Sequence, residues 1–311
     1  MFNNAPNSTA NIPYIGRFAP SPTGPLHFGS LLAALASYLD AKYHHGQWLI
    51  RMEDLDPPRE ILGAQDLILK ALDTYGLFSD QEIIYQSQRS EEYQQALDQL
   101  IKQNSVFPCS CSRKQLAEFN GIHLGNCLSA VDNINTQSAW RFDSLPAGIS
   151  DEVDLAQFHD QLQGAFSQSI RQSIGDFVVK RKDQLWAYQL AMVVDDYLQG
   201  VTHIVRGIDL IDSTLRQNML QSVLHYPVPQ YSHIPVACAD NGQKLSKQNL
   251  APALDLDNPE ENIWRALSWL RQSPPENLRS ASVKELLAWG IENWNPNPLR
   301  DIETQAATFA L

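Results

Sequence analysis

Residues 22–30 read PTGPLHFGS, two prolines and two glycines crowded around His27, with SLLAALASYLD beginning at once. A stiff turn between a strand and a helix sits where open α/β sheets bind ligands. The helix start offers unpaired N–H groups and the positive end of the helix dipole to a phosphate. His27 falls at the first turn, placed to donate a hydrogen bond to charge developing there. The same residues also suit a rigid loop whose histidine only caps the helix. Far along the chain, Lys244-Leu245-Ser246-Lys247-Gln248 sets two lysines three apart on a loop. Two such lysines clamp a polyphosphate as point charges. Neutralising a leaving pyrophosphate is what phosphoryl chemistry chiefly requires. Each motif is weak alone; together they predict a nucleotide site.

A second constellation is Cys109-x-Cys111 followed by His123-x-x-x-Cys127. Four soft or borderline donors within 19 residues suit a closed tetrahedral zinc site of structural kind. Ser112 with Gln115 reads as a capping box, so a short helix should separate the two ligand pairs. The competing reading is reduced cysteines in a small core with a surface histidine. Cys238, in HIPVACAD, reads as a small core residue.

These residues need elements to hold them. Tyr14 to Ala19 alternates as a first strand. Apolar residues at 31, 32, 35, 38 and 39 then give a helix that should stop near Gly46. QWLIRME is a second strand, ending at Glu53. Asp56-Pro57-Pro58 predicts a helix start with Asp56 as cap, and Ile61, Leu62, Leu67, Ile68, Ala71 and Leu72 its buried face. Residues 91–104 look helical. Strand, helix, strand, helix returns from DFVVKR (176 on) through AYQLAMVVDDYLQG, THIVRG and DLIDSTLRQNMLQSVLHY, and PQYSHIPVACAD reads as one further strand. The last 60 residues look helical, and Trp264, Trp269, Trp289 and Trp294 are spaced as buried packing residues. Asp195-Asp196 falls at a helix edge, with a structural or RNA-adjacent role expected rather than catalysis. The pattern predicts an α/β fold with a parallel sheet. The expected organisation is a tail over 1–12, one half of a nucleotide-binding domain over 13–90, a zinc-bearing insertion over 91–170, the second half over 171–240, and a lysine loop with a helical region over 241–311.

The bulk composition is that of a globular chain: 311 residues, 43% hydrophobic and 19% charged. The longest apolar run is too short for a bilayer span, and MFNNAPNSTANIP lacks the pattern of a signal peptide, so a cytoplasmic protein with no membrane role is expected. A net charge of -12 disfavours a small non-specific nucleic-acid binder but not a large enzyme gripping RNA with one face.

His27-Phe28-Gly29-Ser30 and Lys244-Leu245-Ser246-Lys247 together resemble the HIGH and KMSKS signatures of the class I aminoacyl-tRNA synthetases. Arg17-Phe18-Ala19-Pro20-Ser21-Pro22-Thr23-Gly24 and RMEDLD (51–56) look like the glutamyl branch. The resemblance runs from about Ile15 to Ala253. Two positions depart from it: Ser30 stands where HIGH has its last histidine, and Leu245 where KMSKS has methionine. Only 63 residues follow Gln248, too few for the anticodon-binding region of a full glutamyl-tRNA synthetase. The likeness is therefore nearest to the truncated glutamyl-Q paralogue family. In that family the third zinc ligand is usually a tyrosine; the position holds His123 here, and imidazole is the commoner zinc ligand.

The resemblance implies a class I Rossmann-like sheet and a two-step reaction, activation of L-glutamate by ATP with Mg2+, then transfer to queuosine in the anticodon of tRNA(Asp). Catalysis falls to His27, Lys244 and Lys247. ATP binding falls to Pro22, Thr23, Gly24, His27, Gly29 and Lys244 to Lys247, including Leu245 and Ser246. Glutamate has two carboxylates and an ammonium. Arginine forks suit the first, at Arg17 and Arg206, and Glu53 suits the second. Tyr188 can close the pocket, and Phe18, Ala19, Pro20 and Ser21 complete the implied contacts. One structural zinc ion per chain and a monomer are expected. The rival readings are transfer to the 3′ end of a tRNA, an inactive RNA-binding relic, and a nucleotidyltransferase of related fold acting on a small molecule.

Overall fold

The structure, a computed structural model, describes residues 13–117, 121–125, 138–145, 154–238, 245 and 252–306. Lys244, Ser246, Lys247 and Cys127 lie outside the described residues.

The chain opens with β1 (Ile15–Phe18), α1 (Phe28–Tyr43), β2 (Gln47–Met52), α2 (Ala64–Thr74) and β3 (Ile84–Tyr85). These strands form a sheet in the order β1-β2-β3, with every pair parallel. Five of the six residues of β2 are buried, the pattern of a strand covered on both faces. α3 (Ser90–Lys102) leads into an antiparallel region. There β4 (Val106–Cys109), β5 (Ala139–Phe142) and β8 (Phe177–Lys180) pair in that order, β6 (Leu155–Asp160) and β7 (Gly164–Ser169) form a hairpin, and α4 (Arg113–Ala117) follows the first cysteines. The Ser112–Gln115 capping box is present at the head of α4.

The parallel pattern resumes with α5 (Tyr188–Leu198), β9 (His203–Gly207), α6 (Ile211–Leu224) and β10 (Gln230–Ile234), where β9 and β10 pair in parallel. Thr202 joins this piece to the first one: its N–H donates to the Ile15 carbonyl at 2.9 Å, and its Oγ1 accepts from the Ile15 N–H at 2.9 Å. The carboxyl ends of β1 and β9 thus lie side by side, which is where doubly wound sheets open their ligand crevice. β11 (Val236–Cys238), α7 (Pro259–Trp269), α8 (Val283–Glu292) and β12 (Thr304–Ala306) complete the elements, and β12 pairs in parallel with β11.

One large core gathers α1, β2 and the C-terminal helices, with Trp269 and Trp294 buried in it and Trp264 and Trp289 packed against its edge. A second core lies beneath α3, α5 and α6. Cys238 is buried, as a small core residue should be. No described helix is long and apolar enough to cross a membrane.

Two sequence expectations fail. Asp56-Pro57-Pro58 opens only a single 3-10 turn, Pro57–Arg59, and Asp56 makes no capping bond. Its carboxylate is taken by Arg59 and Arg181. The helix starts later, at Ala64 behind Gly63, because the Ile61 N–H is captured by the Pro22 carbonyl at 3.0 Å. Ile61, Leu62 and Leu67 are exposed, and the buried face reduces to Ala64, Ile68, Ala71 and Leu72. The single strand expected over PQYSHIPVACAD is two, broken at Pro235, which lacks the N–H a ladder needs.

Candidate active site

At the carboxyl ends of β1 and β9 lies a cavity of about 490 Å³. Arg17, Phe18, Ala19, Pro20 and Ser21 reach it from the end of β1, Glu53 from the end of β2, Tyr188 from the start of α5, and Arg206 from β9. Thr23, His27, Gly29 and Leu245 line it as well; Pro22 and Gly24 do not. Two segments far apart in sequence therefore share one cleft.

His27 is the N-cap of α1. Its Nδ1 accepts the Ser30 N–H at 3.2 Å, and Ser30 Oγ accepts the His27 N–H at 3.5 Å. Ser30 thus acts as the N3 partner of a capping box. An uncharged ring that accepts at Nδ1 carries its proton on Nε2, so the cap also selects a donor tautomer. The capping role and a phosphate role are compatible. The first-turn N–H groups of Phe28 and Gly29 have no acceptor within the helix, the usual state of a helix start. Gly29 keeps this corner open: a Cβ there would sit 3.1 Å from His27 Cε1 and 3.5 Å from the Leu245 carbonyl oxygen. Leu245 is pinned by its N–H to the Ala237 carbonyl at 2.8 Å. Just past the lysine loop, the Leu254 N–H donates to the Leu26 carbonyl at 2.8 Å, and Ala253 bridges His27.

The end of the cavity that holds Arg17, Glu53 and Arg206 is strongly polarised. Arg17 is buried, and its Nε donates to Asp196 at 3.2 Å. Arg51, fully buried, donates to the same carboxylate at 2.8 Å. Burial works against ionisation of Asp196, but the two guanidiniums outweigh it and hold its carboxyl below the ordinary range. Asp195 is turned the other way and accepts from Arg89 Nε, Gln86 and Tyr93 at 2.6, 2.8 and 2.7 Å. The acidic pair is therefore structural, as expected, but it lies in the interior of the fold rather than at an edge facing RNA.

Glu53 takes a hydrogen bond from Ser21 Oγ at 3.4 Å. Burial pushes its carboxyl up to about 7, against the pull of Arg51 and Arg17. Burial raises the Tyr188 phenol too, so it enters the cavity as a neutral donor. Arg206, buried, is held on one edge: Nε donates to His233 Nε2 at 3.1 Å, and Nη2 to Thr214 Oγ1 at 2.7 Å. Its Nη1 is buried without an acceptor. An arginine with one edge clamped and an unanswered N–H group, beside a carboxylate and a phenol, has the chemistry to receive an anionic group next to a cationic one.

Sequence reasoning did not find His233, Thr214 or Asp160, which surround Arg206 from β10, α6 and β6. Nothing in their local sequence marks them: Asp160 and Thr214 stand among polar neighbours, and His233 is one polar residue of a short strand.

Cys109, Cys111 and His123 converge, their ligand atoms lying within 4.8 Å of one another. His123 Nε2 is 3.5 Å from Cys109 Sγ and 3.7 Å from Cys111 Sγ. Its Nδ1 meets Asp176 Oδ2 at 2.9 Å, which leaves the Nε2 lone pair for an ion. Asp176 was not anticipated either, since it lies far along the chain on the lead into β8. The set is able to hold a metal ion.

Residues 15–279 match the family model for class I tRNA synthetases (E and Q), catalytic domain. The glutamyl-Q tRNA(Asp) synthetase of Ectopseudomonas mendocina (strain ymp) is 48% identical over 287 residues, covering 92% of this chain and 94% of that one. The protein of the same name from Serratia proteamaculans (strain 568) is 46% identical over 294 residues, 94% and 93% of the two chains. Among solved structures, the glutamate-tRNA synthetase of Elizabethkingia anophelis shares the fold with a TM-score of 0.77 at 23% identity, over 94% of this chain and 68% of that one.

Proposed function

Because this chain belongs to the class I tRNA synthetases of the E and Q type, we propose that it activates L-glutamate with ATP and transfers the glutamyl group to queuosine in the anticodon of tRNA(Asp). The observation that carries this reading is the shared cleft, with Arg17, Glu53, Tyr188 and Arg206 at one end and His27, Gly29 and Leu245 at the other.

Arg17 and Arg206 bind the carboxylates of glutamate, and Glu53 the ammonium. Phe18, Ala19, Pro20, Ser21 and Tyr188 wall the amino acid in. A substrate carboxylate oxygen attacks the α-phosphorus of ATP, the bond to the β,γ-pyrophosphate breaks, and a glutamyl-adenylate forms. His27, with the open helix start, stabilises charge on the phosphates, and Lys244 and Lys247 take up that of the leaving pyrophosphate. Thr23 and Leu245 line the nucleotide subsite, Pro22 and Gly24 stiffen the turn behind it, and Ser246 adds to it from the lysine segment. Mg2+ bound with ATP offsets the triphosphate charge. A hydroxyl on the queuosine ring then attacks the mixed anhydride and AMP leaves. No covalent enzyme nucleophile is required, because positioning and electrostatics carry the chemistry.

Cys109, Cys111, His123 and Cys127 hold one structural zinc ion. Tetrahedral bonds of about 2.3 Å to sulfur and about 2.0 Å to nitrogen set those atoms about 3.5 Å apart. That is the spacing between His123 Nε2 and Cys109 Sγ. The enzyme acts in the cytoplasm, as a monomer.

The test is to incubate the protein with ATP, labelled glutamate and total tRNA and to map the modified nucleotide. Label at the anticodon base of tRNA(Asp) is expected. Label at a 3′ end overturns the acceptor assignment, and absence of glutamate-dependent ATP–pyrophosphate exchange overturns the activation step.

A further inference from the structure

The surroundings of Arg206 go beyond what a carboxylate contact alone requires. Three elements converge on it: β9 supplies the arginine, α6 supplies Thr214, and β10 supplies His233. Thr214 and His233 have no exposed surface. Behind His233 stands Asp160, at the end of β6, also fully buried. Its Oδ2 lies 2.6 Å from His233 Nδ1, and its Oδ1 accepts the N–H groups of Leu162 and Gln163 at 2.9 Å each and of His233 at 3.1 Å. So many donors, with the imidazole among them, hold Asp160 in its ionised form against the cost of burial. An ionised Asp160 accepts and cannot donate, so His233 Nδ1 carries the hydrogen and Nε2 presents its lone pair. That lone pair receives Arg206 Nε, and Thr214 Oγ1 lies 3.2 Å from the same nitrogen. Burial lowers the His233 pKa although Asp160 pulls the other way, in keeping with a neutral acceptor beside a guanidinium.

The charge pattern is equally specific. Arg17 and Arg51 both have carboxylate partners, Asp196 for each and Asp195 for Arg51 as well. Among the described residues Arg206 has no carboxylate partner; its acceptors are an imidazole, a hydroxyl and the Leu210 carbonyl at 3.3 Å. Neutral acceptors orient a guanidinium without cancelling its charge. The Arg206 Nη1, buried and unanswered, is the edge they leave over.

We propose that His233 is a positioning residue for the amino-acid substrate: fixed in one tautomer by Asp160 and assisted by Thr214, it clamps the Nε and Nη2 side of Arg206 so that the Nη1 side and an uncancelled positive charge meet a substrate carboxylate. This inference rests on the reading of the cleft as a glutamate-activating site. It assigns the hairpin β6–β7 a task in that site, because Asp160 is the hairpin's contribution to the relay.

The experiment is glutamate-dependent ATP–pyrophosphate exchange by the full chain and by Thr214→Val, His233→Leu and His233→Gln. Valine keeps the shape of threonine and removes the acceptor. Glutamine is able to accept from Arg206 and donate to Asp160, whereas leucine does neither. Hydrogen bonds to charged groups of this kind correspond to a KM for glutamate raised about 10- to 100-fold in Thr214→Val and His233→Leu. The KM for ATP and kcat should stay within about threefold, the signature of lost substrate binding rather than lost chemistry. His233→Gln should recover most of the loss. An unchanged KM for glutamate in Thr214→Val overturns the proposal, as does a His233→Gln protein no better than His233→Leu. If His233→Leu does not fold, Thr214→Val decides alone. If the wild-type chain shows no exchange, the activation reading fails, and calorimetric titration of glutamate into the wild type and Thr214→Val decides the positioning role separately; equal affinities, or none in either, overturn it.

Discussion

Glu53 should make the end of the cleft that holds Arg17 and Arg206 sensitive to pH. Its pKa is raised to about 7 by burial. The ammonium of a substrate requires the ionised form, so binding must expel a proton when pH is below that value. Glutamate affinity should therefore rise about tenfold per pH unit on the acid side of 7 and level off above it, as isothermal titration between pH 5.5 and 8.5 would show. In Glu53→Gln the slope should vanish along with most of the affinity. The sign for stability is opposite. A folded pKa above the unfolded one favours the fold at low pH, and the contribution is lost as pH rises through the folded value, so Glu53→Gln should unfold at a higher temperature than the wild type at pH 8 and not at pH 5. The charged residues that share this cleft lie at or near strand ends, Arg17 in YIGRFA, Glu53 in QWLIRME and Arg206 in THIVRG, and it was the family resemblance that singled them out. Their supports were not legible in sequence. His233 and Asp160 lie 73 positions apart and meet only when β6 packs beside β10.

At the scale of elements, the start of α1 is capped by His27 and is proposed also to meet phosphate, and substitution can separate the two roles. Asparagine is among the best N-caps and alanine among the worst. His27→Asn should hold stability close to wild type while pyrophosphate exchange collapses. His27→Ala should lose the exchange and also about 1 kcal/mol of stability, as read from urea denaturation midpoints. In the antiparallel region the test falls on Asp176, which orients His123 and also accepts from the N–H groups of Gly125 at 2.6 Å and Ser144 at 3.0 Å. If the Cys109, Cys111 and His123 cluster holds zinc as proposed, Asp176→Asn should weaken its binding about 10- to 100-fold, measured by competition with a chromophoric chelator. The helices α1, α3 and α5 were legible from apolar spacing alone. The existence of α2 was legible too, but its start was not, because that is decided by a bond from Ile61 to a carbonyl in the histidine turn, a tertiary contact that overrides the local Asp-Pro-Pro signal. The Ser112–Gln115 box needed no such help, since both partners lie within one turn.

On the scale of the whole molecule, two apolar cores meet along a charged seam. Arg17 and Arg51 come from the first sheet, Asp195 and Asp196 from α5, and Arg89 from the lead into α3. Removing one carboxylate leaves buried guanidiniums uncompensated, so Asp196→Asn should cost about 3–5 kcal/mol in denaturant unfolding. Because the Asp196 pKa is depressed, its contribution is present above the unfolded carboxyl value and lost as pH falls through the folded one. The variant should accordingly lose less stability than the wild type on acidification. The parallel architecture was readable from alternating strand and helix patterns, but the seam was not, since it joins residues from distant segments. The pairing of β11 with β12 carries a consequence for biosynthesis. The strand that leads toward Lys244 and Lys247 finds its ladder partner in Thr304–Ala306, so a nascent polypeptide completes that pairing only once those residues clear the ribosome. Stalled chains cut short just before them should bind glutamate nearly as the whole chain does and show weakened pyrophosphate exchange.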